Sequence, residues 1–126
     1  MNTDGNTNGG KMLEKACSAA RRYLEDRHQM RFMATWHDLY GNPLGIVMKD
    51  GIDLVFCEVQ VRFGSVPSEC NSDSYRNMLE QATIKFLGEC CQDMTDLRIR
   101  FDNVSLGALD DGKSALLRYH KNALGD

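Results

Sequence analysis

The chain has 126 residues, a formal net charge of −3, and 42% apolar and 26% charged residues. That is the size of one small domain with ordinary globular usage, which excludes disorder over the whole length and a strongly basic nucleic-acid binder, although not a local basic patch. No run of about 18 apolar residues occurs, so no segment reads as a membrane-spanning helix and no membrane partner is expected.

Residues 1–10, MNTDGNTNGG, show no apolar periodicity and read as a flexible tail ahead of a domain covering residues 11–126. From Lys11 to about Arg27 the spacing of Met12, Ala16, Ala19, Ala20, Tyr23 and Leu24 predicts a helix, with Arg21, Arg22, Glu25 and Asp26 on its polar side. Met30, Phe32, Ala34 and Trp36 alternate with polar or exposed-type residues and predict a strand. A turn region, Asp38 to Pro43, precedes a short strand at Gly45 to Met48. Lys49-Asp50-Gly51 then reads as a hairpin turn.

Asp53 to Arg62, DLVFCEVQVR, is the most informative segment. Val55, Cys57, Val59 and Val61 make one wholly apolar face. Leu54, Phe56, Glu58, Gln60 and Arg62 make another that turns polar toward its C-terminal end, as suits a central strand beside a cleft. A loop follows from Phe63 to Asn71. Ser72 or Asp73 caps a second helix whose stripe is Tyr75, Met78, Leu79, Ala82, Phe86 and Leu87, ending near Gly88. Leu97 to Leu106 reads as a strand, residues 107–112 as a loop, Ser114 to Tyr119 as a last short strand, and His120 to Leu124 as a closing helical turn. The order predicts an antiparallel meander, a helical crossover and a mixed sheet of about four to five strands flanked by helices.

The five cysteines, at positions 17, 57, 70, 90 and 91, form no Cys-x-x-Cys pair. An odd count without metal spacing suits neither a disulfide scaffold nor a zinc site. With no basic-then-apolar leader pattern at the N-terminus, the expectation is a cytoplasmic protein with free thiols that act as small apolar fillers.

Taken in order, these motifs resemble the YraN-like family of the PD-(D/E)xK nuclease superfamily. Ala20-Arg21-Arg22-Tyr23-Leu24 is similar to that family's first-helix A-x-x-Y-L, and Trp36 falls at its Asn-Trp position. Lys49-Asp50-Gly51 with Leu54-Val55-Phe56-Cys57-Glu58-Val59 is similar to D-G-x-x-L-V-F-V-E-V. Phe63-Gly64 with Pro67 resembles the F-G-x-P loop, Arg100-Phe101-Asp102 the R-F-D strand, and His120-Lys121-Asn122-Ala123-Leu124 the closing H-x-x-N-A-F, one residue shorter. The resemblance implies a restriction-endonuclease-like α/β domain. Its active members place an Asp on one strand and Glu-x-Lys on the next, where the carboxylates hold magnesium and the metal activates water.

This chain departs from that pattern where the chemistry resides. The family's G-E-I-D-L falls on Gly41-Asn42-Pro43-Leu44-Gly45, so the motif Asp becomes Leu44, or Gly45 with a one-residue shift. Glu58 stands at the motif Glu and Gln60 replaces the Lys. The first-helix Glu falls on Cys17, with Glu14 one turn away. A lone carboxylate does not hold magnesium in defined geometry, and such parts act as a unit. The resemblance thus implies a catalytic remnant at Glu58 and Gln60. Glu58 and Glu14 are the candidate metal pair, for magnesium or manganese, if a residual site exists, and otherwise no cofactor is expected. Asp53 lies five residues from Glu58, about 17 Å along an extended strand and on the opposite face, so it does not substitute.

Arg62, Arg76 and Arg100 are the candidate phosphate contacts on DNA or RNA. The histidines, His28, His37 and His120, show no metal spacing, and His120 is expected to make a structural hydrogen bond. The leading expectation is a catalytically inactive nuclease-like domain that retains nucleic-acid binding. The alternatives are a protein-interaction scaffold with no nucleic-acid role, and an active metal-dependent endonuclease with a rebuilt site.

Overall fold

In the computed structural model the described residues are 4–63, 73–90, 98–108 and 115–123. Helix α1 (Asp4–His28) is followed by strands β1 (Arg31–His37), β2 (Pro43–Asp50) and β3 (Asp53–Phe63), helix α2 (Asp73–Cys90), and strands β4 (Arg98–Ala108) and β5 (Ala115–His120). The five strands form one sheet in the order β1-β2-β3-β4-β5. The pairs β1/β2, β2/β3 and β4/β5 are antiparallel, while β3/β4, joined through α2, is parallel. The expected mixed α/β sheet of about five strands is therefore present, with an apolar cluster on each face.

Side-chain alternation on β3 assigns the two helices to opposite faces. Val55, Cys57 and Val59 join Ile46, Met48 and Val104 against Ala16, Ala20 and Leu24 of α1. Ala16, Ala20 and Leu24 recur every fourth residue, so one stripe of the helix is buried, and two alanines let its backbone approach the sheet closely. Leu54 and Phe56 join Trp36 and Val47 against Leu79 and Ala82 of α2. There Phe56 is ringed by Trp36, Phe86 and Phe101 at centroid distances of 5.3, 5.5 and 5.9 Å. The Thr83 hydroxyl in α2 bonds back to the Leu79 carbonyl at 2.8 Å, which satisfies a buried polar group within the helix.

Some element boundaries differ from the periodicity. Helix α1 begins at Asp4, so residues 4–10, read as tail, carry helical backbone, as expected where a nucleated helix propagates outward. It closes at Gln29, which takes a left-handed φ of 53° while the Met30 N–H donates to the Leu24 carbonyl. The β2–β3 hairpin turns on Gly51-Ile52, one residue later than predicted. Asp50 faces Asp53, and Gly51 supplies the positive φ, 62°, that a two-residue turn requires at its first central position. The predicted loop at residues 64–71 and most of that at 107–112 lie outside the described residues.

Strand β1 corrects the simple alternation. Its pairing with β2 shifts between Phe32 and Ala34, so Met33 is an inserted residue. The insertion flips the side-chain parity. Phe32 packs on the α1 side, while Trp36 is buried on the α2 side, so the two do not share a face as the sequence predicts. The Trp36 indole N–H has no hydrogen-bond partner among the described residues.

The sheet is closed at its β4 end by a charge cluster on the α1 side. Arg100, 8% exposed, donates to Asp53 at 2.9 Å, to Asp50 at 3.1 Å and to both oxygens of Asp102 at 3.0 and 3.1 Å. Asp102 also accepts from the Tyr119 hydroxyl at 2.5 Å and from the Asn122 N–H at 2.8 Å. Burial and the neighbouring Asp102 raise the Tyr119 pKa, so its hydroxyl stays a donor. Arg98 bonds the other Asp53 oxygen at 2.7 Å. This hydrogen bond holds the Asp53 carboxyl below its ordinary pKa, against the opposing effect of burial, and the charges of Arg98 and Arg100 add to it.

Removing one partner of a buried ion cluster leaves the others desolvated and unpaired. Arg100→Ala is therefore expected to cost about 3–5 kcal/mol in urea unfolding. Because the folded pKa of Asp53 is depressed, its contribution is present above the unfolded value of about 3.9 and disappears as pH falls through the folded one. Urea titrations over a pH series should show Asp53→Asn less stable than the parent at neutral pH, with the gap narrowing as pH falls below about 4.

Candidate functional site

The polar half of β3 lies on the face that α2 shares. Leu54 and Phe56 enter the aromatic cluster, and the next residues of that parity are Glu58 and Gln60, both half-buried. Register carries one row across the whole sheet at this level: Trp36 beside Gly45, Gly45 beside Glu58, Glu58 beside Asn103 and Asn103 beside His120. Glu58 Oε1 accepts from Asn103 Nδ2 at 3.2 Å, and Oε2 accepts from Gln60 Nε2 at 3.3 Å. Asn103 Oδ1 in turn accepts from the Ser105 hydroxyl at 3.0 Å. The expected catalytic remnants, Glu58 and Gln60, are thus brought together, and Gln60 acts as a neutral donor to the carboxylate.

Gly45, one of the two positions where the resemblance would put a second carboxylate, is structurally closed. Gly45 stands directly opposite Glu58, on its face. A Cβ there would lie 2.0 Å from the Cys57 carbonyl oxygen and 2.9 Å from the Val59 nitrogen, so the backbone leaves no room for any side chain. The second shift in the β1/β2 pairing lies here, between Trp36 and His37, and Leu44 packs against the Trp36 cluster. Asn42 is drawn into the preceding turn, where its backbone N–H and its amide bond Asp38 at 2.9 and 3.1 Å. Burial raises the Asp38 pKa, but the hydrogen bonds from Asn42 and from the Tyr40 backbone outweigh it and leave the carboxyl below its ordinary value.

The candidate pair Glu58 and Glu14 does not converge. Glu14 is exposed on α1, which packs on the other side of the sheet, so β3 itself separates the two carboxylates. Cys17 packs beside the α1-side core. Its thiol is pushed up by burial and then by the charge of Glu14. Among the described residues no group of three or more His, Cys, Asp and Glu side chains could hold a metal ion. Cys17, Cys57 and Cys90 are free thiols, and burial first, then the charge of Asp102, raises the Cys57 pKa steeply.

The three candidate phosphate contacts are dispersed. Arg100 is buried on the α1 side with its guanidinium committed to three aspartates. Arg76 is exposed in the first turns of α2. Arg62 lies in β3 beside Gly107, and its side chain is outside the described part. The His120 side chain is exposed and, among the described residues, makes no hydrogen bond. The structural bond near this end is made by the Asn122 N–H to Asp102 instead.

Asn103, Ser105, Arg118 and His120 were not linked to Glu58 by sequence reasoning. Alternation places Asn103 and Ser105 on one face of their strand, but only the β3/β4 register shows that this is the Glu58 face. No family model matches this chain, and no curated protein matches it significantly.

Rebuilding the carboxylate pair through Gly45→Asp requires the β2 and β3 backbones to separate. The variant is expected to lose at least about 2 kcal/mol in urea unfolding, and joined with Gln60→Lys it should gain no metal-dependent cleavage of DNA.

Proposed function

We propose that this chain is a restriction-endonuclease-like domain of the YraN type that works by binding and carries out no metal-dependent phosphodiester cleavage. The observation that supports this reading most is the setting of Glu58. A magnesium site needs several hard oxygen ligands in near-octahedral order. Glu58 is met by two amide donors, Gln60 and Asn103, and the place of a second carboxylate is taken by the Gly45 backbone. Without the metal there is neither a Lewis acid nor an activated water, and Gln60 brings no titratable proton to replace them. The meander of β1–β3, followed by a crossover through α2 to parallel β4, also agrees with the fold that the resemblance implies.

A second reading, a protein-interaction scaffold with no nucleic-acid role, draws on a different observation. Arg100 is withdrawn into a carboxylate cluster, and the whole chain carries a net charge of −3. Both features lower the attraction for a polyanion.

The two readings separate in one assay. Labelled single-stranded, duplex and four-way-junction DNA is followed by fluorescence anisotropy over a salt series with magnesium or manganese, and the samples are then run on a gel. The expected result is uncut DNA with binding that weakens as salt rises. Absence of binding down to low salt assigns the scaffold role. Metal-dependent cutting that disappears in Glu58→Ala overturns both.

A further inference from the structure

The face that holds Glu58 continues past β3 as a polar strip through Asn103 and Ser105 to the exposed Arg118 and His120. Helix α2 packs over the Trp36, Val47, Leu54 and Phe56 cluster with Phe101 at its border, and no β5 residue joins that cluster. On β5, Leu117 and Tyr119 pack into the α1-side core. By alternation Arg118 and His120 therefore project from the opposite, Glu58-bearing face, and both are exposed. Their neighbours on β4 are the residues of the amide relay, because Arg118 pairs with Ser105 and His120 with Asn103.

Several features make this strip suited to an oxyanion. Arg118 has no carboxylate within ion-pair distance among the described residues, whereas Arg98 and Arg100 are paired. It sits one strand spacing, about 4.8 Å, from β4 and about 7 Å along β5 from His120, a span that one phosphate group can bridge with flexible side chains. The Asn103 amide is oriented by two bonds, one accepted from Ser105 and one donated to Glu58. An amide nitrogen carries two protons, so one more remains to donate. Glu58, a strand further along the row, disfavours an anion at its own position, while Gln60 and Asn103 hold its charge in place. The row thus has an acidic end at β3 and a donor-rich end at β5.

We propose that Arg118 and His120, together with the Asn103 amide, form a binding site for a phosphate group. The group is either a free phosphate or a phosphodiester of single-stranded nucleic acid, and Arg118 supplies the charge-assisted contact. Only the second source rests on the nucleic-acid reading proposed above.

The test uses the full chain with two probes. Inorganic phosphate is titrated at constant ionic strength while backbone amide shifts are followed by NMR, and labelled oligothymidylate is titrated by anisotropy over a salt series. Arg118→Gln and His120→Gln are exposed changes, and Arg22→Gln on α1 is the control. Saturable shifts confined to residues 103–105 and 116–120 are expected. Each β5 variant should weaken phosphate roughly 3- to 5-fold, as for an exposed charged contact, and the control should not. If oligothymidylate binds here, Arg118→Gln should also lower its salt slope by about 0.7. Phosphate binding at this strip without oligothymidylate binding upholds the site and removes the nucleic-acid reading. Oligothymidylate binding that both variants leave unchanged keeps that reading but overturns the phosphodiester source, and the strip is then a free-phosphate site if both variants weaken phosphate. No saturable phosphate shift, or shifts unaffected by both variants, overturns the site as well.

Discussion

Arg100 ties together parts of the chain that are distant in sequence. Its guanidinium bonds Asp50 and Asp53 at the two ends of the β2–β3 hairpin and Asp102 on its own strand. Asp102 then reaches Tyr119 on β5 and the Asn122 N–H in the turn that follows. Burying a guanidinium is unfavourable unless its donors are matched by acceptors, and here each of its three nitrogens has one. The cluster therefore sets the β3/β4 register at one end of a long parallel pairing, eleven residues deep. Every later placement depends on that register, since it decides that Asn103, and not a neighbour of opposite parity, stands beside Glu58.

The same cluster explains the division of labour between the two faces. Charged residues of β4 with the parity of Val104, Arg100 and Asp102, point to the α1 side and are used for closure. Residues of the other parity, Phe101, Asn103 and Ser105, begin in the α2-side core and end in the polar row. An arginine spent on structure is not available to a ligand. This is why Arg100, which looks like a phosphate contact in the sequence, belongs to the fold.

Much of this architecture was legible in the residue pattern because it depends on local periodicity. The two-sided DLVFCEVQVR strand and the stripes of both helices follow from alternation and from 3.6-residue spacing, and the structure places them against the faces that those patterns require. The exceptions have non-local causes. The inserted Met33 changes the parity of β1 without altering its composition, so Phe32 and Trp36 look alike in sequence and part in space. The closeness of Gly45 to the Cys57 carbonyl belongs to two strands meeting, and nothing in the sequence near Gly45 announces it. For the site, Glu58 and Gln60 were visible as a pair on one face, whereas Asn103 and Ser105 needed a register that only the assembled sheet supplies.

At Gly45 a carboxylate is opposed by the backbone itself and not only by the choice of side chain. A Leu or Asn in an otherwise open position could be reverted by a single substitution. Here the backbones of β2 and β3 occupy the space where a Gly45 side chain would stand, and the neighbouring Leu44 packs against the aromatic core. Close backbone approach and apolar packing both favour the folded state, and a carboxylate at either position would oppose them. Glu58 in turn accepts hydrogen bonds from two amides, one on its own strand and one on β4. Polarity on this face then continues along the row, from Glu58 through Asn103 to the exposed His120 on the edge strand β5.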